Sequence, residues 1–311
     1  MRAFIFPGQS SQAVGMGKAL AEASSTAREV FEEVDHALEQ NLFKLMVEGP
    51  ADELTLTENA QPAIMANAIA TLRVMEKEGG KNLSDLCEYA AGHSLGEYSA
   101  LCAAGALNLT TAAKLLKLRG LSMQKAVPVG EGGMAALLGT DIKKASALAK
   151  ASAQGDICTV ANDNDPTQVV ISGHMAAIER AIAMVKDHGI KRGVLLPVSA
   201  PFHCSLMKPA AEAMEEALSE ASILPPAVPI FANVTAAAVS DVNDIRQLLV
   251  EQVTGTVRWR ESVAHMNESG VEQFVEFGGK VLTGMVKRIA KDAETISLVS
   301  MDDIEGFLAT V

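Results

Sequence analysis

Short apolar runs alternate along the chain with segments whose apolar residues recur at helical spacing. Unbroken apolar runs are typical of strands buried on both faces, and a period near 3.6 is typical of amphipathic helices. Outside the middle of the chain, the predicted strands are residues 3–6, 86–91, 228–233, 271–277 and 296–299. The predicted helices are residues 18–37, 63–77, 97–104, 112–126, 209–221, 244–253 and 281–291. This alternation predicts an α/β fold with a largely parallel sheet that helices cover on both faces.

The pattern changes between a Gly-rich segment at residues 130–133 and Pro197. Strands predicted at residues 134–138, 157–161, 168–171 and 194–198 flank helices predicted at residues 141–153 and 175–188, with a turn at 162–166. The order β-α-β-β-α-β is that of a ferredoxin-like unit. We therefore predict an inserted ferredoxin-like subdomain at residues 128–197 and a larger subdomain made of residues 1–127 and 198–311.

Composition and charge narrow the functional classes. Hydrophobic residues make up 49% of the 311 residues, which is enough for a large core. The formal net charge of -12 argues against a nucleic-acid-binding protein, because such proteins need a basic surface. The four cysteines form no Cys-x-x-Cys pair, the N-terminus lacks a signal-peptide pattern, and no apolar run approaches the ~20 residues of a membrane span. We expect a cytoplasmic protein with free thiols and no membrane association.

The segment Gly92-His93-Ser94-Leu95-Gly96 matches Gly-x-Ser-x-Gly, the pattern of a nucleophile elbow between a strand and a helix. Glycine is needed at both ends because the strand and the helix approach too closely for a Cβ atom. The serine then lies at a helix N-terminus, where free N–H groups favour a developing negative charge. The pattern predicts a catalytic Ser94, and a structural Gly-rich turn is the alternative.

A nucleophilic serine needs a base, and His203 is the best candidate. It follows a predicted strand in a loop, and loops at strand ends of α/β sheets often carry chemistry. A turn histidine without a catalytic role is the alternative. His93 is adjacent to Ser94, and neighbours at an elbow point apart, so we expect it to support the turn. Four aspartates qualify as a third triad member by chain order alone, but these four fall in the predicted insert and none completes a triad: Asp156, Asp163, Asp165 and Asp187.

Arg119 lies on the helix predicted at residues 112–126. A guanidinium group is suited to holding a carboxylate by two parallel hydrogen bonds, so Arg119 is a candidate for binding an acidic substrate. A solvated or ion-paired surface position is the alternative, and sequence spacing does not decide between them. The Gly-rich segment at residues 130–133 precedes a strand, which argues against a dinucleotide site, and no His and carboxylate spacing predicts a metal site.

Five segments together resemble the family of malonyl-CoA:acyl carrier protein transacylases. They are FPGQSSQ at residues 6–12, GHSLGE at 92–97, RG at 119–120, SAPFH at 199–203 and GGKVL at 278–282. The resemblance runs from the first predicted strand to the last predicted helix. It implies an α/β-hydrolase-like large subdomain, an inserted ferredoxin-like subdomain and a catalytic groove between the two.

The resemblance also implies a role for each site residue. Ser94 is the expected nucleophile and His203 the expected base, oriented by the backbone carbonyl of Gln252 in place of an acid. The remaining expectations are an oxyanion hole from the N–H groups of Gln9 and Leu95, a carboxylate contact from Arg119, a preference for malonyl over branched groups from Phe202, and acyl-pocket positions at Met123 and Asn162.

The implied reaction moves malonate from malonyl-CoA to the phosphopantetheine thiol of acyl carrier protein through a malonyl-serine, and supplies extender units for fatty acid synthesis. It requires no cofactor, and we expect a monomer, although the residues do not determine the oligomeric state or separate a fatty acid from a polyketide pathway. Both substrates are acidic, so exposed cations are candidates for a positive rim: Lys186, Lys191, Arg192, Lys280, Lys287, Arg288 and Lys291. Ordinary solvated helix faces are the alternative.

Two positions depart from the family pattern. Ser10 stands where the family usually has glycine, and Phe277-Gly278-Gly279-Lys280 stands where it has Gly-Pro-Gly-Lys. Ser10 puts the geometry of the loop beside the predicted oxyanion hole in question. Two other functions stay open: a serine esterase or thioesterase that uses water as acceptor, and a non-enzymatic module that binds carrier protein.

Overall fold

The computed structural model describes all 311 residues of the chain. Its strands are β1 (Arg2–Phe6), β2 (Tyr89–Gly92), β3 (Gly132–Leu138), β4 (Cys158–Asp165), β5 (Gln168–His174), β6 (Arg192–Leu195), β7 (Ile230–Ala232), β8 (Ala237–Val239), β9 (Gln273–Phe277) and β10 (Glu294–Leu298). The helices before the insert are α1 (Lys18–Ala23), α2 (Ser25–Leu38), α3 (Leu42–Glu48), α4 (Ala51–Thr55), α5 (Thr57–Gly79), α6 (Leu83–Leu86), α7 (Gly96–Ala103) and α8 (Leu109–Ala126). The later helices are α9 (Ile142–Ala153), α10 (Met175–Met184), α11 (Lys208–Glu220), α12 (Val242–Thr254), α13 (Trp259–Glu268), α14 (Leu282–Ile289) and α15 (Met301–Leu308), with a short 3-10 helix at Ser205–Met207.

The large sheet has six strands in the order β10-β9-β1-β2-β7-β8. All neighbours are parallel except the edge pair β7 and β8. The central strand β1 is buried on both faces because one core cluster lies against each face, with Phe4 and Phe6 on one side and Ala3 and Ile5 on the other. The predicted parallel sheet covered on both faces is therefore confirmed.

The small sheet has the order β4-β5-β3-β6, and every neighbouring pair is antiparallel. Helices α9 and α10 pack on it and enclose a separate apolar core. This β-α-β-β-α-β arrangement confirms the predicted ferredoxin-like topology. Its elements run from Gly132 to Leu195, inside the predicted limits of 128 and 197. No helix of the chain combines the length and apolarity that crossing a membrane requires.

Three segment predictions were wrong for reasons of tertiary packing. Helix α5 begins at Thr57 and carries Pro62 inside it, although we expected the helix to start at residue 63. The predicted helix at residues 18–37 is broken at Ser24, whose backbone is extended. The turn predicted at residues 162–166 is instead the end of β4, which continues to Asp165. In each of these three segments, buried tertiary contacts outweigh the local preference for helix, strand or turn.

The end of β4 attaches the small sheet to the large subdomain. Asp163 is fully buried and pairs with Arg260 at 2.7 Å, and Asp165 is fully buried and pairs with Arg288 at 2.8 Å. The two arginines come from α13 and α14, on the far side of the junction. A backbone bridge between Asn162 and the segment before α13 joins the same two parts. These contacts hold one wall of the groove that contains Ser94.

Candidate active site

Ser94 occupies a sharp turn between β2 and α7. Its φ is 55°, in the left-handed region that a serine adopts only when the surrounding structure requires it. A Cβ atom at Gly92 would overlap the carbonyl group of Gly96, and one at Gly96 would overlap the carbonyl oxygen of Phe6. The turn can therefore form only with glycine at both ends, and it lifts the hydroxyl of Ser94 above the carboxyl ends of β1 and β2.

His203 faces the hydroxyl of Ser94. The distance from Ser94 Oγ to His203 Nε2 is 2.8 Å, and His203 Nδ1 lies 2.9 Å from the main-chain oxygen of Gln252. A carbonyl oxygen only accepts hydrogen bonds, so Nδ1 carries the proton and Nε2 is free to accept one from the serine. Burial, followed by the nearby positive charge of Arg119, lowers the pKa of His203 to about 3. The imidazole is consequently neutral at physiological pH, as a general base must be.

Two main-chain donors beside Ser94 have no partner within the protein. The N–H groups of Gln9 and Leu95 donate no internal hydrogen bond. Leu95 precedes the first turn of α7, and Gln9 follows the end of β1, where Gly8 lies so close to His93 that a Cβ atom would be 2.7 Å from its carbonyl oxygen. Free N–H groups at such a position can stabilise an oxyanion.

Arg119 is only 1% exposed, which excludes the solvated-surface alternative. Its Nη1 donates to Gln61 Oε1 at 2.8 Å, and its Nη2 donates to Gln252 Oε1 at 2.9 Å and to Ser94 Oγ at 3.1 Å. The guanidinium forms no salt bridge, and its Nε has no hydrogen-bond partner. Burying an unpaired charge is costly, so this site is prepared for an anionic group brought by a ligand.

One cavity of about 100 Å³ brings together seven of the predicted site residues, among them Ser94, Arg119 and His203. Phe202, Met123 and Asn162 form part of its wall, and Gln9 lies at its edge. Leu95 and Gln252 act from behind this wall through their main chains. The volume suits a short acyl group, because a longer chain would meet buried side chains.

Sequence reasoning missed four lining residues: Gln61, Met134, Leu196 and Val198. Gln61 matters most, because it holds Arg119 through its Oε1 and lies 3.8 Å from Met123 Sδ through its Nε2. A glutamine directly before Pro62, at the start of the predicted helix, was the available signal. The expectation of a support role for His93 agrees with its contacts, since its Nε2 lies 2.9 Å from Asn164 Oδ1 and its ring makes no hydrogen bond with Ser94.

The departure at Ser10 is accommodated without a change of fold. Ser10 adopts φ 85°, a conformation that favours glycine, and its N–H donates to the side chain of Gln12 at 2.8 Å. The loop before α1 therefore keeps a left-handed residue beside Gln9. Ser10 lies in the wall of the cavity that holds Ser94.

Lining residues shared by neighbouring cavities mark a route from the Ser94 cavity toward an open cleft. A second cavity of about 230 Å³ shares Gln9, Asn162 and Leu196 with the first and extends to Gln168. Gln168 also borders an open cleft of about 540 Å³, lined by Lys191, Arg192 and Arg288. The route ends in a basic mouth that suits an acidic substrate with a long flexible arm.

Three comparisons with known proteins bear on this arrangement. The family model for the acyl transferase domain matches residues 3–300. The malonyl CoA-acyl carrier protein transacylase of Bacillus subtilis is 43% identical over 311 residues, covering 99% of this chain and 96% of its own length. The crystal structure of an acyl-carrier-protein S-malonyltransferase from Bartonella henselae is 51% identical, with a TM-score of 0.97 over 99% of this chain and 98% of that one.

A second similar structure contains a carrier protein. It is a malonyl-transacylase in complex with the holo form of a type II polyketide synthase acyl-carrier protein. That enzyme is 39% identical, with a TM-score of 0.96 over 100% of this chain and 99% of its own. The similarity therefore extends over both sheets and over the groove between them.

Proposed function

The chain belongs to the acyl transferase family, among the malonyl-CoA:acyl carrier protein transacylases, and we propose that Ser94 carries the malonyl group between the two substrates. The enzyme is an acyltransferase that moves malonate from malonyl-CoA to the phosphopantetheine thiol of acyl carrier protein and supplies extender units for fatty acid synthesis. The observation that carries the proposal is the meeting of Ser94, His203 and a buried, unpaired Arg119 in one small cavity.

In the first half-reaction, Arg119 binds the malonyl carboxylate and thereby places the thioester carbon at Ser94 Oγ. His203 Nε2 takes the serine proton as the C–O bond forms, and the N–H groups of Gln9 and Leu95 stabilise the oxyanion by about 3 kcal/mol each. The tetrahedral intermediate then breaks its C–S bond. His203 returns the proton to the departing thiolate, and coenzyme A leaves as the free thiol.

The second half-reaction reverses these steps with a different thiol. The phosphopantetheine thiol gives its proton to His203 Nε2 and attacks the malonyl-serine carbonyl. The C–O bond to Ser94 breaks, and His203 returns the proton to Ser94 Oγ. Ping-pong kinetics follow from the covalent intermediate. Only protein groups and the two substrates take part, so the proposed reaction uses no cofactor.

Replacing Ser94 by alanine tests the chemistry directly. We expect wild-type protein incubated with malonyl-CoA to gain one malonyl group in an intact-mass spectrum, and Ser94→Ala to gain none. Ser99→Ala is the matched control, because Ser99 is buried in α7, which follows the elbow, and its hydroxyl makes no hydrogen bond. An adduct on the Ser94→Ala protein would contradict the assignment. Release of free malonate as the main product, even with carrier protein present, would identify a thioesterase.

The basic mouth of the groove is the proposed docking surface for acyl carrier protein. Lys191 and Arg192 are exposed there and make no ion pair, whereas Arg288 is held by the buried Asp165. We expect Lys191→Glu with Arg192→Glu to raise the KM for carrier protein at low salt and to leave thermal stability unchanged. Lys81→Glu, at the opposite end of the sheet, is the control. An unchanged KM would remove these residues from the docking surface.

We also propose that one chain is sufficient for the reaction. All nine proposed site residues come from a single chain and meet without a partner subunit. Activity per mole of chain should therefore be independent of enzyme concentration across the nanomolar to micromolar range. A loss of specific activity on dilution would show that an oligomer is required.

A further inference from the structure

Glu97 is a buried acid that the mechanism above does not use. It lies in the first turn of α7, three residues after Ser94, and is only 3% exposed. It does not line the acyl cavity. Its Oε2 nevertheless accepts two hydrogen bonds, from the main-chain N–H of Asn233 at 2.9 Å and from Gln252 Nε2 at 2.8 Å. One carboxylate oxygen thus contacts two residues that lead back to the site.

The first of these connections runs through Gln252 to both His203 and Arg119. A carboxylate only accepts hydrogen bonds, so Glu97 turns the NH₂ group of Gln252 toward itself. The amide oxygen of Gln252 must then face Arg119, from which it accepts a hydrogen bond at 2.9 Å. The main-chain oxygen of the same residue accepts from His203 Nδ1. The position of Gln252 therefore sets the direction of the base and of the guanidinium together.

The second connection runs through Asn233 to the nucleophile elbow. The side-chain oxygen of Asn233 accepts from the N–H of Ser94 at 2.7 Å, and its NH₂ group donates to the carbonyl of Gly92 at 2.7 Å. Asn233 thus holds the elbow on both sides of its turn. Glu97 fixes Asn233 through the main chain and so supports the strained φ of Ser94.

The charge of Glu97 also faces that of Arg119 across Gln252. Arg119 has no salt bridge, and the neighbouring ionisable groups that act on its charge are Glu97 and Tyr98. Two histidines, His93 and His203, line the same cavity as Arg119, and burial lowers the pKa of each. An anion behind the guanidinium attracts it away from an incoming carboxylate and favours an imidazolium on His203.

We propose that Glu97 is a positioning residue, whose carboxylate aligns Ser94, His203 and Arg119 through Asn233 and Gln252 and limits how tightly Arg119 holds the malonyl carboxylate. The inference rests on the proposed malonyl transfer. Glu97 touches neither the substrate nor the reacting atoms. The substrate supplies one negative charge to the site, and Glu97 supplies a second. Both act on Arg119, so the two anions repel each other.

The test is single-turnover formation of the malonyl-enzyme by Glu97→Gln, with malonyl-CoA as substrate. Glutamine can keep its oxygen where Glu97 Oε2 accepts both hydrogen bonds, so the substitution removes chiefly the charge. We expect the half-saturating malonyl-CoA concentration to fall about threefold, because the repulsion of the substrate carboxylate is lost. We expect the maximal rate to fall about tenfold, because the imidazolium on His203 loses a stabilising charge.

The pH profile supplies a readout that a merely structural residue would not change. Burial raises the pKa of Glu97 to about 7, which the hydrogen bonds from Asn233 and Gln252 only partly offset. The wild-type acylation rate should therefore decline as the pH falls through about 7, and Glu97→Gln should lack this decline. Malonyl-pantetheine is the substrate for this arm, because it has no phosphate group, and phosphate monoesters titrate near pH 6.

Two further variants separate positioning from stability. Glu97→Asp keeps the charge but shortens the side chain, and we expect it to keep the pH decline with a lower maximal rate. Glu276→Gln alters another buried glutamate, which accepts from the main chain at the start of α14, and should lower stability while keeping the decline near pH 7.

The outcomes distinguish the inference from the proposed function. A wild-type enzyme that forms no malonyl-serine would refute the proposed function itself. A wild-type enzyme that forms the adduct but shows no decline near pH 7 would overturn the role of Glu97. So would a Glu97→Gln enzyme that keeps the decline or binds malonyl-CoA more weakly. If Glu97→Gln does not fold, the pH profiles of wild type and Glu97→Asp decide. A decline near pH 7 in both supports the role of Glu97, and its absence overturns that role.

Discussion

Replacing Arg119 by alanine separates recognition of the malonyl carboxylate from the chemistry at Ser94. The guanidinium is buried, is held by Gln61 and Gln252, and has no acidic partner in the protein. Its remaining interactions are therefore directed at a ligand. Acetyl-CoA offers the same thioester without the carboxylate, so it measures everything that Arg119 does apart from charge recognition.

The size of the effect follows from the contacts that are lost. A hydrogen bond to a charged group contributes about 1.5–3 kcal/mol, and a two-pronged contact between guanidinium and carboxylate makes two of them. A loss of about 3–5 kcal/mol corresponds to a decrease of roughly 200- to 5,000-fold in kcat/KM for malonyl-CoA. For acetyl-CoA the decrease should stay below about 10-fold, because the only contact with a reacting atom that is removed is the weaker one with Ser94 Oγ.

The assay is kcat/KM for malonyl-CoA and acetyl-CoA with saturating carrier protein. Arg119→Lys should give an intermediate value, since it keeps the charge but loses the two-pronged geometry. Arg73→Ala is the control, because Arg73 lies in a partly exposed pair with Glu33. Equal losses for the two substrates in Arg119→Ala would refute the reasoning, and would indicate that Arg119 only maintains the shape of the cavity.

Four further outcomes follow from the geometry. Because burial and Arg119 lower the pKa of His203 to about 3, its ring signals in NMR should not titrate between pH 5 and 8; a midpoint near 6.5 would contradict a fully buried neutral base. Phe202→Ala should raise the ratio of kcat/KM for methylmalonyl-CoA over malonyl-CoA by about 10-fold, because it opens space worth at least one methyl group; an unchanged ratio would move the selective contact elsewhere. Gly92→Ala should lower the free energy of unfolding by at least about 3 kcal/mol in urea titrations, since its Cβ would overlap the backbone of the elbow, and wild-type stability would disprove that overlap. Arg260→Met should lower the free energy of unfolding by about 3 kcal/mol, because it leaves Asp163 buried and unpaired. Adding Asp163→Asn to Arg260→Met should recover part of the loss; no recovery would mean that the pair is not coupled.

The sequence determined the features that depend on local backbone geometry and burial pattern. The elbow is one of them, because two glycines at fixed spacing around a serine are required wherever a strand turns so sharply into a helix. The parallel sheet is another, because strands covered on both faces need unbroken apolar runs such as that of β1. The β-α-β-β-α-β order of the insert could be predicted because its strands and helices also show their burial pattern in the sequence.

The partners of the catalytic groups were decided by the tertiary structure. The sequence has no acid in a suitable position to orient His203, and only the family resemblance pointed to Gln252. The structure shows that the orienting group is a main-chain carbonyl, which no side-chain motif can encode. It also shows that Arg119 is buried, although its spacing on the predicted helix was equally compatible with an exposed position.

Long-range packing likewise overrode local signals at Pro62 and at the end of β4. The local pattern predicted that one helix begins only after Pro62 and that β4 ends before a polar turn. In the folded chain, Asp163 and Asp165 are buried and extended because arginines from α13 and α14, about 100 residues later, neutralise them. Glu97 holds Asn233 and Gln252 across similar separations. Sequence pattern thus established the nucleophile and the sheet around it, whereas the burial and pairing of charges were settled by residues that only the fold brings together.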